Sequence, residues 1–199
     1  MTALARLSDY GIMRKYLYCA LLALILLGLS SCEIFGIRDS EYPSAPPLWN
    51  NSTSNWEQVL QNLGYCYTDS RNVVKYSSLF TSNYRFYFAA QDIVDYSLPS
   101  VWEKANEQDM LINLHSLSSK ISLALETLSG SPDEILASEA RIFRSYQLSI
   151  KTSSGTANYN GSLELQLRKE SGYWYIYRWY DYRSATGSSW GRLKYVYSQ

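Results

Sequence analysis

The apolar residues change their spacing once along the chain, and this change constrains the fold more than any other feature. In residues 56–67 they recur at helical spacing, whereas in residues 121–125 and 163–167 they alternate with polar residues. Helices followed by strands with short turns are typical of an α+β architecture, in which helices cover one face of an antiparallel sheet. The sequence therefore predicts one α+β domain over residues 56–199.

The first half of the domain carries three predicted helices, each with a start signal. The first follows residues 56–67, the second residues 73–80 and the third residues 110–117. Side-chain oxygens at a helix start satisfy backbone N–H groups that have no partner within the helix. The predicted cap residues are Ser54 with Glu57, Asp69 or Ser70, and Ser100 with Glu103.

Four further segments have strand composition, and a tight turn joins two of the strands. Ser171 and Gly172 predict a hairpin turn into the aromatic segment 173–182. Regular alternation there would place Trp174 and Ile176 on one face of the sheet and Trp179 on the other. The remaining predicted strands are residues 84–90, 142–151 and 192–197.

The N-terminal segment has the pattern of an export signal. Residues 17–29 are uncharged and almost wholly apolar, and Arg14 and Lys15 precede them. Met13 begins a more typical signal, so it is an alternative start. An uncleaved membrane helix is the other interpretation, but a spanning helix needs about 20 apolar residues and this run is shorter.

The export signal ends in Leu29-Ser30-Ser31-Cys32, which resembles the lipobox of bacterial lipoproteins. The resemblance implies a signal peptide over residues 1–31, cleavage before Cys32, and diacylglycerol on the Cys32 thiol. Two or three acyl chains would anchor the protein stably in a membrane. Residues 32–55, which contain Pro43, Pro46 and Pro47, are predicted to be a flexible tether. The expected location is the bacterial cell envelope, and the outer membrane if the cell has one.

Charge and composition argue against several functions. The chain has 18 basic and 18 acidic residues, and removal of residues 1–31 leaves a net charge of −2. Without a basic excess, electrostatic binding of nucleic acid is not expected. One His and three Cys argue against a metal site built from these residues, and no cofactor motif is present. After cleavage and lipidation Cys66 alone remains, so we expect it to be buried rather than disulfide-bonded.

Residues 56–60, 76–80 and 84–88 form a predicted helix pair that leads into a strand, and residues 172–179, with Trp174 and Ile176, form a late aromatic strand. The first group looks like the opening helix pair and first strand of the nuclear transport factor 2-like superfamily, which includes ketosteroid isomerases and SnoaL-like proteins. The second group looks like that family's late strand. The resemblance implies N-terminal helices folded over a strongly curved sheet, which together form a cone with a pocket.

The same resemblance gives no catalytic residue. In isomerase-like members a carboxylate near the end of the first strand accepts a proton. Matching residues 79–83 to that family's pattern places Phe88 at about the position of this carboxylate. Phenylalanine cannot accept a proton. Asp92 could fold back to replace it, with Tyr65 as a hydrogen-bond donor, but a solvated loop or cap role for Asp92 and a helix-face role for Tyr65 are simpler.

A G-x-S-x-G match surrounds Ser189, but it does not predict a nucleophile. The nucleophile elbow needs a helix after the serine and a histidine later in the chain. The single histidine, His115, lies upstream, and no following helix is predicted. We expect a Gly/Ser loop at Ser189 and a surface or boundary position for His115.

The sequence supports three hypotheses. The first is a lipid-anchored, non-catalytic module that binds an apolar small molecule or an envelope protein. The others are a cone-pocket enzyme of isomerase, dehydratase or hydrolase type, and a structural subunit of an envelope complex. The aromatic face of segment 173–182 could bind a ligand or form cross-strand pairs. The candidate residues of the pocket or patch are Tyr65, Tyr84, Phe88, Trp174 and Trp179.

Overall fold

The computed structural model describes residues 48–68 and 71–199, and these residues form helices and one sheet. The predicted signal peptide, Cys32 and residues up to 47 of the predicted tether lie outside them. The helices are α1 (Trp56–Thr68), α2 (Val73–Ser78), α3 (Ala90–Tyr96), α4 (Lys104–Leu117) and α5 (Trp190–Tyr197). The strands are β1 (Phe80–Tyr87), β2 (Val101–Glu103), β3 (Ser118–Thr127), β4 (Glu134–Ile135), β5 (Glu139–Thr152), β6 (Gly155–Glu170) and β7 (Tyr173–Arg183).

The predicted α+β architecture is confirmed. The sheet has the strand order β2-β1-β7-β6-β5-β3, and β4 pairs with β5 beyond the end of β3. The sheet is curved and does not close into a barrel. Strands β3, β5, β6 and β7 form an antiparallel run, as the alternating pattern predicts. Strand β1 lies beside β7, at the end of that run opposite β3, and pairs with β7 in parallel.

Two helix starts differ from the predicted caps by a few residues. At α1 the Asn55 side chain accepts a hydrogen bond from Glu57 N–H, at 3.3 Å, so Asn55 rather than Ser54 caps the helix. At α2 the Asn72 side chain accepts from Lys75 N–H at 2.9 Å, and Asp69 and Ser70 lie outside the described residues. Local shifts of this size are usual at helix ends.

Helix α4 also begins later than the sequence predicts. Glu103 is the cap residue, and it forms a capping box with Asn106 instead of serving as the acidic partner of Ser100. Residues 101–103 are the short strand β2, which pairs with β1. Because residues 101–103 pair with β1, the helix cap lies at Glu103, three residues after the predicted cap Ser100.

The predicted last strand is wrong, because residues 190–197 form the helix α5. Trp190, Leu193, Lys194 and Tyr197 are buried, and their spacing is that of one helical face. Ser189 caps the helix by accepting a hydrogen bond from Arg192 N–H at 2.9 Å. The helical spacing is not evident in residues 192–197 alone, and it becomes visible only when Trp190 is included.

A register shift in β7 changes the face of Trp179. Ile176 pairs with Leu167 and Arg178 pairs with Gln166, so one extra residue of β7 lies between these pairs. Such a bulge reverses the alternation beyond it. Trp179 consequently lies on the inner face with Trp174 and Ile176, whereas Arg178 is exposed. The prediction that Trp179 occupies the opposite face is wrong.

The core lies between the inner face of the sheet and the helices. It contains Cys66, which is fully buried on α1 as predicted. Residues 50–53, which the sequence assigns to the tether, contact the domain. Asn50 N–H donates to the Asn62 side chain at 2.8 Å, and Trp174 N–H donates to Thr53 C=O at 2.8 Å. Among the described helices, none has the length and apolar character that a membrane crossing requires.

Candidate functional site

An ion pair lies at the centre of the domain. Glu107 of α4 and Lys194 of α5 are both fully buried, and their charged groups are in direct contact. The Tyr76 hydroxyl donates to Glu107 Oε2 at 2.7 Å, and the Tyr84 hydroxyl donates to Glu107 Oε1 at 3.1 Å. Each carboxylate oxygen thus has a donor, as a buried charge requires.

Aromatic rings surround the Lys194 ammonium group on its other sides. Its Nζ lies 4.2 Å from the ring centre of Phe86, 4.8 Å from that of Trp179 and 5.9 Å from that of Trp102. The faces of these rings carry partial negative charge and stabilise a nearby cation. Burial lowers the pKa of Lys194, and the negative charge of Glu107 opposes this effect.

The tyrosines at the ion pair are held in their neutral, donating form. Burial raises the pKa of Tyr76 and of Tyr84 well above the usual value, and the negative charge of Glu107 raises both further. A neutral phenol can donate its proton to the Glu107 carboxylate, whereas a phenolate could not. Glu107, Lys194, Tyr76 and Tyr84 therefore form a closed polar centre whose partners all come from this chain.

A second polar cluster holds the start of α5. The Asp181 carboxyl group accepts from the Tyr146 hydroxyl at 2.8 Å and from Gly191 N–H at 2.8 Å. Trp190 N–H donates to the Tyr146 hydroxyl oxygen at 2.8 Å. Backbone N–H groups in the first turn of a helix have no partner within the helix, so these bonds fix the helix in place.

Asp92 of α3 contributes to the same cluster and is fully buried, so the solvated position expected for it is wrong. The Ser189 hydroxyl donates to Asp92 Oδ2, and Arg183 donates to Asp92 Oδ1 at 3.3 Å. A Cβ at Gly191 would lie 2.8 Å from Asp92 Oδ2 and 3.0 Å from the Phe88 ring, so only glycine allows this close approach. Ser189 of the G-x-S-x-G match is thus a buried helix cap, and the match does precede a helix, contrary to expectation.

Burial raises the pKa of Asp181 to about 7, and nearby Asp92 adds to the rise. Between pH 4 and 7 the folded state therefore retains a proton that the unfolded state has lost. The stability that the protonated group contributes is present below pH 4 and is lost as pH rises towards 7. We expect the free energy of unfolding to fall relative to that of Asp181→Asn by up to about 1.4 kcal/mol per pH unit in this window.

Urea unfolding of the wild type and Asp181→Asn at several pH values tests this expectation. Burial and Arg71 lower the pKa of the half-buried His115 to about 4, which gives an opposite slope between pH 4 and 6.5. The His115 effect is common to both proteins and cancels in their difference. A difference in unfolding free energy that stays constant from pH 4 to 7 would contradict a raised Asp181 pKa.

Helix α5 occupies the interior in which the family resemblance predicts a pocket. Trp190 is fully buried, and its ring centre lies 4.7 Å from that of Trp179, 5.0 Å from that of Tyr146 and 5.2 Å from that of Tyr67. Its Nε1 donates to the Tyr67 hydroxyl at 3.0 Å. Leu193 and Lys194 follow it into the core with no exposed surface.

Four of the five candidate residues belong to this packed interior. Ligand binding by any of the five remains a prediction. Tyr84 binds Glu107, and Trp179 contacts both Lys194 and Trp190. Phe88 packs against Phe86 with ring centres 4.9 Å apart. Trp174 is buried near the beginning of β7, and Lys169 Nζ lies 5.9 Å from its ring centre.

Tyr65 lies at a different place, so the structure does not combine it with Asp92. It lines a groove of about 310 Å³ between α1 and β3, together with Leu60, Leu123 and Leu125. Gln61 and Thr68 of α1 and Arg144 of β5 complete the lining of the groove at the edge of the sheet. The sequence offered no sign of it, because α1 and β3 are about 50 residues apart.

The tyrosines on the outer face of the sheet form cross-strand contacts. Tyr87 and Tyr180 are register partners, and their rings stack with centres 4.5 Å apart. The Tyr182 hydroxyl donates to Glu164 at 3.2 Å. These contacts favour the cross-strand interpretation of the aromatic segment, although Tyr173 and Tyr182 remain exposed.

Sequence reasoning missed the residues that organise the interior. Glu107, Lys194 and Asp181 each appear in the sequence as one charged residue in a mixed segment. The helical spacing from Trp190 to Tyr197 is the signal that could have placed Lys194 inside. Within the described residues no group of three or more His, Cys, Asp or Glu side chains is arranged to hold a metal ion.

Comparison with known proteins identifies the fold but no close relative. No protein-family model and no curated protein matches the chain. A conserved protein from Planctomyces limnophilus aligns at a TM-score of 0.53 and 13% identity, over 63% of this chain and 90% of its own. A protein from Kribbella flavida aligns at 0.54 and 9% identity, over 69% and 93%.

A third similar structure, from Novosphingobium aromaticivorans, carries the name of a scytalone dehydratase. It aligns at a TM-score of 0.52 and 12% identity, over 67% of this chain and 89% of its own. At these identities the likeness concerns the fold alone. The domain has the cone-shaped α+β fold of the nuclear transport factor 2-like type, as the sequence resemblance implies.

Proposed function

We propose that the protein is a lipid-anchored, non-catalytic module of the bacterial cell envelope that acts through its surface. One observation carries the non-catalytic part, namely that α5 fills the interior in which the family resemblance predicts a pocket. Trp190, Leu193 and Lys194 have no exposed surface there. Because α5 fills the interior of the cone, that interior has no room for a substrate. The function of the domain therefore depends on what its outer surface binds.

The lipid anchor rests on the sequence before the domain. The apolar run 17–29 and the sequence Leu29-Ser30-Ser31-Cys32 support export and acylation of Cys32. A net charge of −2 after residue 31 gives the exported protein no basic surface excess, so the acyl chains would supply the membrane affinity. An envelope protein bound at the outer surface is the expected partner, and an apolar small molecule is the alternative.

An enzyme of isomerase or dehydratase type is the second candidate, and the raised pKa of Asp181 is the observation that favours it. A buried carboxyl group that titrates near neutral pH can serve as a general acid or base. However, Asp181 is 2% exposed, and its two oxygens already accept bonds from Tyr146 and Gly191. This arrangement favours a role in holding α5.

Intact-mass measurement on the full chain from an envelope extract tests the proposal. We expect a chain that begins at Cys32, carries acyl chains and retains no small molecule under native conditions. The Cys32→Ala variant is expected to lack the acyl mass, because it has no thiol to modify. An unmodified wild-type Cys32 would contradict the anchor. A small molecule retained by the wild type would favour a pocket, and with it the enzyme candidate, over a function of the outer surface alone.

A further inference from the structure

The free edge of the sheet is suited to a specific partner. Strand β3 ends the strand order, and among the described residues its only strand partner is β5. An unpaired edge presents a row of backbone donors and acceptors that can bind another strand. The edge is ten residues long, which is enough for several backbone hydrogen bonds.

The register shows which backbone groups face this edge. Leu128 N–H donates to Phe143 C=O at 3.3 Å, in the same register that joins β3 to β5. Hydrogen-bonded and non-hydrogen-bonded pairs alternate in an antiparallel ladder. The even-numbered residues of β3 therefore bond to β5, and the backbone groups of Ile121, Leu123 and Leu125 point outward. Within residues 48–68 and 71–199 no hydrogen bond to these outward groups is found.

A second copy of β3 matches this edge when a twofold axis passes through Leu123. Leu123 then pairs with Leu123 of the other copy, and Ile121 pairs with Leu125. These are the residues whose backbone groups point outward, so each pair can exchange two hydrogen bonds. The same register places apolar residues opposite apolar residues on the inner face of the sheet.

Charge complementarity favours this register on the outer face. Lys120 would lie opposite Glu126 of the other copy, and the twofold axis produces this contact twice. Within one chain Lys120 is instead the register partner of Lys151. The side chains of Lys120, Glu126 and Lys151 are all exposed. Like charges directly opposite each other destabilise a sheet, so Lys120 gains a carboxylate partner only in the pair of chains.

The inner face of β3 also leaves apolar surface uncovered. Leu123 and Leu125 are half-buried and line the groove with Leu60 and Tyr65 of α1. A second β3 strand would bring its own Leu123 and Leu125 beside this groove. Removal of such apolar surface from water stabilises association in proportion to its area.

We infer that two copies of this chain associate through antiparallel pairing of their β3 strands, centred on Leu123. The two sheets become one continuous sheet, and the interface is isologous because the same strand serves both chains. The pairing concerns the domain surface and does not depend on acylation of Cys32.

Charge exchange at Lys120 and Glu126 tests the inference with the full chain in detergent. Sedimentation equilibrium should show a wild-type dimer. Lys120→Glu and Glu126→Lys should each weaken association by roughly tenfold or more, because each creates two like-charge contacts. An equal mixture of the two variants should recover association, because every contact between them is then of opposite charge. Asp109→Lys, an exposed charge reversal on α4, should have no effect.

The outcomes that overturn the inference are distinct. A monomeric wild type at all concentrations measured would overturn it. A dimer that withstands both single variants would also overturn it, since the contact would then lie elsewhere. Recovery in the mixture excludes misfolding as the cause of the single-variant effects.

A disulfide tests the register independently. Ser122 and Ala124 of the other copy form a non-hydrogen-bonded pair in this register, at which side chains approach most closely. A Ser122→Cys chain mixed with an Ala124→Cys chain should cross-link on mild oxidation. Replacement of Ala124→Cys by Asp109→Cys in the mixture should abolish the cross-link, and equal cross-linking in the two mixtures would contradict the register.

Discussion

Lys194→Met is expected to lower the free energy of unfolding by about 3–5 kcal/mol, because it leaves a buried carboxylate without its counter-charge. Glu107 has no exposed surface, and Tyr76 and Tyr84 supply hydrogen bonds to it but no charge. The aromatic contacts of Lys194 with Phe86 and Trp179 would be lost at the same time. Urea unfolding followed by tryptophan fluorescence measures the change.

Two further variants separate the charge effect from side-chain loss. Glu107→Gln combined with Lys194→Met removes both charges and keeps an amide oxygen for the two tyrosines. It should regain stability to within about 1.5 kcal/mol of the wild type, because the replacement residues are similar in volume. Lys169→Met alters an exposed lysine near Trp174 and should change stability by no more than about 0.5 kcal/mol. A Lys194→Met protein as stable as the wild type would contradict a buried ion pair.

Trp190→Ala is expected to cost about 3–5 kcal/mol and to leave a cavity in the cone. Trp190 has no exposed surface and contacts Tyr67, Tyr146 and Trp179, so little of the lost volume can be refilled by solvent-facing groups. Thermal unfolding measured by circular dichroism gives the loss. The variant should also gain an affinity for indole, which has the shape of the missing side chain.

Binding of indole to the folded state alone would raise the midpoint of unfolding with indole concentration. We expect this rise for Trp190→Ala and not for the wild type, in which α5 already fills the space. Trp49→Ala is the matched control, because Trp49 is half-buried beside Lys75 and not in the interior. A wild-type midpoint that rises as steeply as that of Trp190→Ala would show that the cone is open to ligands.

The strands β3, β5, β6 and β7 were predictable because each shows an alternating pattern or strand composition in local sequence. Ile121, Leu123 and Leu125 alternate with polar residues, and a turn with positive φ at Ser171 and Gly172 joins β6 to β7 as expected. The bulge in β7 was not visible, because it depends on how Gln166 and Leu167 meet the opposite strand. A shift of one residue reverses the face of every residue beyond it, which is why regular alternation predicts Trp179 on the face opposite Trp174.

The interior could not be predicted, because its residues meet only in the folded chain. Glu107 and Lys194 are 87 positions apart, and Ser189 and Asp92 are 97 apart. Charged side chains are normally exposed, so sequence patterns place a lone lysine in a mixed segment at the surface. Here Phe86, Trp102 and Trp179 surround the ammonium group, and no single segment carries all three rings.

Hydrogen–deuterium exchange of α5 in the full-length protein tests the central claim most directly. A helix of only eight residues is marginal by itself and would normally fray and exchange quickly. If Trp190 and Lys194 anchor it inside the cone, the amides of Leu193 and Lys194 should exchange as slowly as those of the central strands β6 and β7. Rapid exchange of these amides in a protein whose strands remain protected would contradict the account, because the cone would then be open to a ligand.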